Sequence, residues 1–258
     1  MRRESEEEVI MVAIGKAVLD NGIPKICIPI VGKTIEELVE ECQFAQDKTF
    51  DVVELRIDFY ENVTDTAAVD EALVAIRKEL PDTPLLFTFR TKGEGGATKV
   101  PEAYYFELID FAIDSGKIDA VDIEYFSNAD KVKAALVKAK AAGVSVVLSN
   151  HDFDKTPALE EITSRLEGMI ALGGDVAKIA CMPITAADVL TLLKATNDVK
   201  VNHPDKALIT MSMGKLGAVS RLCGETFGSS LTFGCAKQAS APGQVEVDDL
   251  ERILHVLH

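Results

Sequence analysis

Short runs of β-branched and aliphatic residues recur along the chain. Between them, apolar positions fall at i, i+3, i+4 and i+7. The first pattern predicts buried strands and the second amphipathic helices packed on them. The runs are KICIPIV (25–31), VVELRID (52–58), LLFTFR (85–90), AVDIEY (120–125), SVVLSN (145–150), DVAKIAC (175–181), ALITMSM (207–213) and SLTFGC (230–235). Stretches such as TIEELVEECQFAQD and ADKVKAALVKAKAAG separate them. Thr34 with Glu37, Ser127 with Asp130 and Thr185 with Asp188 have capping-box spacing, and Thr156-Pro157 sets an N-cap before a proline at the first helical position. The repeat of about thirty residues is the length of one strand–helix–strand step. Eight steps in 258 residues predict a single α/β catalytic domain over 1–258, a closed (β/α)8 barrel of parallel strands. The alternative is an open doubly wound sheet. Against it stand the lack of GxGxxG and the charged residues at the carboxyl ends of nearly every strand. Residues 8–24 hold two short apolar runs with Asn21-Gly22 near the end, and predict an N-terminal hairpin that closes the barrel bottom.

Charge narrows the partners. With 27 Lys and Arg against 42 Asp and Glu, the formal charge is −15, which repels nucleic acid and anionic membranes. A pocket for an anionic substrate must then gather its few arginines locally. No run approaches the ~20 apolar residues that span a bilayer, and the apolar stretch 9–14 is too short for a secretory signal. The five cysteines are odd in number and form no CxxC pair. They read as reduced thiols packed as small hydrophobes, and the cytoplasm is the expected compartment.

Parallel barrel strands are buried on both faces, so charged residues inside them carry the information. Glu54, Arg56 and Asp58 alternate in VVELRID and share one face. Val53, Leu55 and Ile57 suit the helix layer, which puts the charges inside, either as an ion-pair network or, for Arg56 nearest the mouth, toward a ligand. Asp122 and Glu124 repeat the pattern, as partners for Arg56 or Lys178 or as catalytic groups. Lys178 lies in the middle of an apolar run. It is a salt-bridged lysine or, desolvated near other cations, one neutral enough to attack a carbonyl as an amine nucleophile. His151 follows SVVLSN at a strand's carboxyl end, where barrel enzymes keep catalytic groups. His203, His255 and His258 lack that context, and one candidate histidine argues against a zinc site. TFRTKGEGG (88–96) ends its strand with Arg90 and Glu94 on a glycine-rich loop, either a solvated turn or a reach over the pocket. In MSMGKLGAVSR (211–221) the glycines match a phosphate turn only weakly, the methionines suit a core, and Arg221 suits a helix surface.

Taken together and in order, TFRTKGEGG, DIEY, SVVLSNHDF, AKIACMP, MSMGKLGAVSR and ASAPGQ resemble the type I 3-dehydroquinate dehydratases, across nearly the whole chain from Pro24 onward. The resemblance implies a lyase that converts 3-dehydroquinate to 3-dehydroshikimate in the shikimate pathway, using neither metal nor organic cofactor, as a homodimer. It implies that Lys178 is the Schiff-base lysine, His151 the acid/base histidine and Glu94 the carboxylate that orients it. Arg221, Arg56 and Arg90 then bind substrate, Glu54, Met213 and Phe233 form pocket wall, and Ser240 and Gln244 belong to a loop that closes on substrate. The composition of 236–246 suits a loosely held lid. Two positions depart from the family pattern: Pro29 stands where many members carry serine, and Tyr125 where an aliphatic residue is usual. Two other readings compete. A Schiff-base aldolase acting on a sugar phosphate would carry a glycine-rich phosphate loop after its last strands, where this chain has AKQASAPGQ. A non-catalytic barrel is compatible with the fold, and the combination of Lys178, His151 and Glu94 weighs against it.

Overall fold

The computed structural model describes residues 12–19 and 22–258. A hairpin of β1 (Ala13–Ile14) and β2 (Ala17–Val18) precedes eight parallel strands: β3 (Lys25–Ile30), β4 (Val52–Arg56), β5 (Leu85–Thr88), β6 (Ala120–Glu124), β7 (Ser145–Asp152), β8 (Val176–Cys181), β9 (Ala207–Ser212) and β10 (Leu231–Cys235). The helices α1 (Ile35–Ala45), α2 (Thr66–Glu79), α3 (Glu102–Asp114), α4 (Ala129–Ala142), α5 (Leu159–Leu172), α6 (Ala186–Asn202), α7 (Gly214–Leu222), α8 (Gly224–Phe227) and α9 (Val247–Leu257) alternate with them, and a short β11 (Val245–Glu246) adds to β10. The strands pair in chain order from β3 to β9, with β10 beside β3. A parallel bridge between Leu208 and Ser229, with Ser230 N–H donating to Leu208 O at 2.8 Å, joins β9 to the start of β10 and closes the ring. This is the expected barrel.

Alternation along each strand divides the core in two. Residues such as Ile28, Val53, Leu55, Phe87, Val121 and Leu148 pack outward against the helices in the larger cluster. Cys27, Val52, Leu86, Ala120, Val147, Val176, Ala207 and Leu231 form a layer inside the barrel, and Ile14, Ala17 and Leu19 of the hairpin segment cap it from below. The hairpin therefore closes the bottom as expected. Its turn falls at Gly15-Lys16, where Gly15 adopts φ +53°; residues 8–11, Asp20 and Asn21 of the expected segment lie outside the described residues.

Several boundaries differ from the sequence reading. β4 stops at Arg56 because 57–59 turn into a 3-10 helix, so Asp58 leaves the strand. β7 runs on to Asp152 and carries His151 within it. The Thr185–Asp188 capping box forms in full. Thr34 accepts from Glu37 N–H, but Glu37 reaches back to Lys33 N–H instead of completing a box. Asn128, not Ser127, caps α4. Thr156 does not cap α5: the residue before a proline is held extended, the helix starts at Leu159, and the Thr156 hydroxyl donates to Met182 O. All five cysteines are free, with Cys27, Cys42 and Cys181 buried. No described helix is long and apolar enough to cross a membrane.

Candidate active site

One turn of the pleat above the apolar layer, the barrel interior becomes charged. Val176, Lys178 and Ala180 share a face of β8; Val176 belongs to the lower layer, and Lys178 stands over it, 3% exposed. Lys178 Nζ lies 3.0 Å from Asp122 Oδ2, 3.5 Å from Glu54 Oε1 and 4.7 Å from the centre of the Phe233 ring. Its first neighbours are thus carboxylates, and one of them, Asp122, is a partner that the sequence offered for it. Asp122 also accepts from Arg90 Nη2 at 2.8 Å and from Ser149 Oγ at 2.5 Å. Burial pushes its carboxyl up, but the Arg90 and Lys178 cations outweigh burial and hold it well below the usual carboxylate range. Arg90 Nη1 bridges Glu124 and Ser149, both at 3.0 Å, and Glu124 is held further by the Thr91 N–H and hydroxyl. Within this cluster each buried charge meets an opposite one, the condition on which burying it is tolerable.

Arg56 takes neither Asp122 nor Glu124, the carboxylates that the sequence offered to it or to Lys178. It pairs instead with Asp58, through two bonds of 2.8 and 2.9 Å, because the turn after β4 folds Asp58 back onto it. Asp58 also accepts from Ala97 N–H at 2.9 Å and Arg90 N–H at 3.3 Å, tying the glycine-rich loop to β4. In that loop, Gly95 has φ +87°, and a Cβ on Gly96 would lie 1.8 Å from the Arg90 carbonyl oxygen. Only glycine fits such an approach.

The loop carries Glu94 onto β7. Glu94 Oε2 accepts from the His151 backbone N–H and faces His151 Nδ1, both at 2.9 Å, while Oε1 accepts from Asn150 Nδ2 at 3.0 Å. A carboxylate beside Nδ1 selects the tautomer with its proton there, leaving the Nε2 lone pair free. Burial pushes the Glu94 carboxyl up to about 7 against the pull of Arg90. Burial, with the Arg90 and Lys178 cations, holds the His151 imidazole well below its ordinary value. Near neutral pH the imidazole is therefore uncharged, the form that accepts a proton.

Arg221 differs from the other two arginines. On the short α7 it is 1% exposed, not a surface residue; Nη1 meets Met211 Sδ at 3.5 Å, Nη2 donates to Pro242 O at 3.2 Å, and Nε has no partner. Among the described residues no carboxylate pairs with it, and burial lowers its pKa to about 10. It is a desolvated cation still short of an anion. Pro242 belongs to the loop after β10, which Gly214 N–H also grips through the same carbonyl. Gly243, at φ +80°, packs so closely on Gly214 that a Cβ would lie 2.2 Å from the Gly214 oxygen. In this loop Ser240 and Gln244 bond each other, backbone N–H to Oε1 at 2.9 Å and Nε2 to Oγ at 3.2 Å.

The eleven residues to which the resemblance gave roles all line one pocket at the carboxyl ends of the strands, Met213 among its buried walls, whereas Asp58, Asp122 and Glu124 stand behind its lining as partners of the cations. Phe153 lines it too, its ring against Gly95, and so does Met211, which the sequence left as core. Phe153 follows His151 in NHDF, the signal that could have found it. Pro29 sits in register with Glu54 on β3, where it removes a ladder donor. Tyr125 reaches α5 at Gly168, where a Cβ would lie 2.4 Å from its hydroxyl. Among the described residues no group of His, Cys, Asp and Glu side chains is arranged to hold a metal ion.

The family model for type I 3-dehydroquinase matches residues 26–258. A 3-dehydroquinate dehydratase from Listeria monocytogenes is 53% identical over 249 residues, covering 96% of this chain and 98% of its own. One from Salmonella typhimurium is 48% identical over 247 residues, with the same coverage. The crystal structure of a type I 3-dehydroquinate dehydratase from Clostridium difficile, with covalently modified comenic acid, superposes with a TM-score of 0.93 at 44% identity, covering 96% of this chain and 98% of that one. The family model's span and this degree of identity settle the lineage: the chain belongs to the type I 3-dehydroquinase family.

Proposed function

We propose that this protein, a type I 3-dehydroquinate dehydratase of the shikimate pathway, removes water from 3-dehydroquinate through an imine on Lys178, with His151 carrying the proton. One observation carries the reading: Lys178, the Glu94–His151 pair and the carboxylate-free Arg221 line the same pocket. Arg221 grips the substrate carboxylate with two parallel N–H donors and supplies the missing anion. Lys178 Nζ, after passing a proton to a neighbouring oxygen or to His151, attacks the C3 ketone, and loss of water leaves the imine. The imine draws electrons from C2 and acidifies its proton. His151 Nε2 removes that proton, then returns it to the C1 hydroxyl, which departs as water. Hydrolysis of the imine frees 3-dehydroshikimate and restores the amine. Glu94 holds the imidazole in the right tautomer throughout.

Arg56 and Arg90 are already paired with carboxylates, so their share is to shape the wall and to add positive potential. Ser240 and Gln244 exchange their mutual bonds for substrate hydroxyls as the 236–246 loop closes. The barrel acts as one catalytic domain, free in the cytoplasm and paired as a homodimer. The experiment is borohydride reduction with substrate, followed by peptide mass analysis. A stable added mass on the Lys178 peptide is expected; an unmodified peptide in fully inactivated enzyme would overturn the proposal.

A further inference from the structure

The Asn150 amide is bonded at both ends, and its outer partner lies on a helix that does not line the pocket. Asn150 is 5% exposed. Its Nδ2 donates to Glu94 Oε1 at 3.0 Å, and its Oδ1 accepts from Arg165 Nη1 at 2.7 Å. A side-chain amide turned end for end keeps its shape and exchanges donor for acceptor. Turned over, it would set an oxygen against the Glu94 carboxylate. A guanidinium has donors only, so Arg165 accepts the oxygen end alone and fixes which end meets Glu94. Arg165 is itself anchored on α5: a second nitrogen pairs with Glu161 one turn earlier, and the guanidinium lies 5.4 Å over the Phe126 ring.

We infer that Arg165 is a positioning residue: acting through Asn150, it sets the Glu94 carboxylate that holds His151. The inference rests on the reading of His151 as proton carrier. The chain runs from the half-buried Arg165 on α5 to the imidazole that carries the reacting nitrogen in four side chains, Arg165, Asn150, Glu94 and His151, joined by bonds of 2.7, 3.0 and 2.9 Å. It leaves substrate contacts untouched, so its loss acts on turnover and not on binding.

The test follows the His151 imidazole by nitrogen NMR across pH, beside steady-state kinetics, in Arg165→Ala, Arg165→Lys, Glu161→Gln and Glu94→Gln. Without Arg165 the amide is free to turn and Glu94 loses a donor. The carboxylate then takes a proton more readily, and the Glu94–His151 transition moves up by about half a pH unit. Turnover falls roughly tenfold while KM stays within about twofold. Arg165→Lys recovers part of both, since a lysine also donates to the amide oxygen. Glu161→Gln leaves both unchanged, which separates the amide bond from the ion pair on the helix. A wild-type imidazole titration in Arg165→Ala, beside an altered one in Glu94→Gln, would overturn the inference. So would a loss of activity that only tracks the folded fraction measured by thermal unfolding. Normal turnover in Glu94→Gln would sink the catalytic reading alone, and the imidazole signals would still decide the role of Arg165.

Discussion

Val176 and Lys178 lie two residues apart on β8 and face the same barrel interior, yet they belong to different environments. Below, eight strands contribute small and branched apolar side chains, and the hairpin seals the layer with Ile14, Ala17 and Leu19. Above, the same strands contribute Glu54, Arg90, Asp122, Glu124 and Lys178, all buried and all tied to one another. The lower layer gains by leaving water. The upper one spends hydrogen bonds holding charges that would otherwise repel burial. A barrel can thus devote one end of its strands to stability and the other to chemistry. A change at either end should be felt at that end only.

Four measurements press on that division. The largest effect belongs to the mouth: His151→Ala should lower turnover by ~10²–10⁴-fold, followed by product absorbance, with little change in thermal unfolding and with substrate still trapped at Lys178 by borohydride. Near-normal turnover would remove His151 from the reaction. At the bottom, Leu86→Ala should cost about 2–5 kcal/mol in denaturant unfolding while turnover per folded molecule is kept. If turnover falls and stability does not, the two ends are not separate. Back at the mouth, Arg221→Lys keeps the charge but loses the planar pair of donors, and should raise KM roughly tenfold. Equal KM values for the two proteins would refute carboxylate binding there. The gentlest probe is pH. With the Glu94 carboxyl pushed up to about 7 and the imidazole pushed down, the pair holds a shared proton below that point and surrenders it above. Activity as a base needs the deprotonated pair, so kcat/KM should rise as pH climbs through about 7; a profile flat from 6 to 8 would contradict the assignment.

The division was legible in the sequence to the extent that it broke a rule. A lysine inside VAKIA and alternating charges in VVELRID are improper for buried strands, and that impropriety located the mouth. Length, repeat and the hairpin's apolar runs sufficed for the barrel because each follows from local pattern. Partnerships followed only in part: Asp122 does meet Lys178, one of the pairings left open. For Arg56 the sequence left Asp122, Glu124 and an ion-pair network with Asp58 open, and a 3-10 turn, invisible in an apolar run, decided for Asp58. Arg221 sits in a short amphipathic segment whose pattern suits the surface, but Met211 and the loop at Pro242 close over its guanidinium. Nothing in the sequence pattern singles out Arg165 or Asn150. Their meaning lies in a bond between elements fifteen residues apart.

The ring has a clasp. Each neighbouring pair from β3 to β9 shares three to six residue pairs, whereas β9 meets the β10 segment through the single Leu208–Ser229 bridge. Hydroxyls fill the gap: Ser229 Oγ accepts from Thr210 N–H, and Thr232 Oγ1 donates to the Arg221 carbonyl. Arg221 thus fastens the clasp with its backbone and faces the pocket with its side chain. A carboxylate seated on that guanidinium would pull the clasp shut from within, so occupancy of the site is also a tension on the hoop. In amide hydrogen exchange, the amides of Ser230 and Thr210 should open first in the empty protein and gain the most protection when substrate binds.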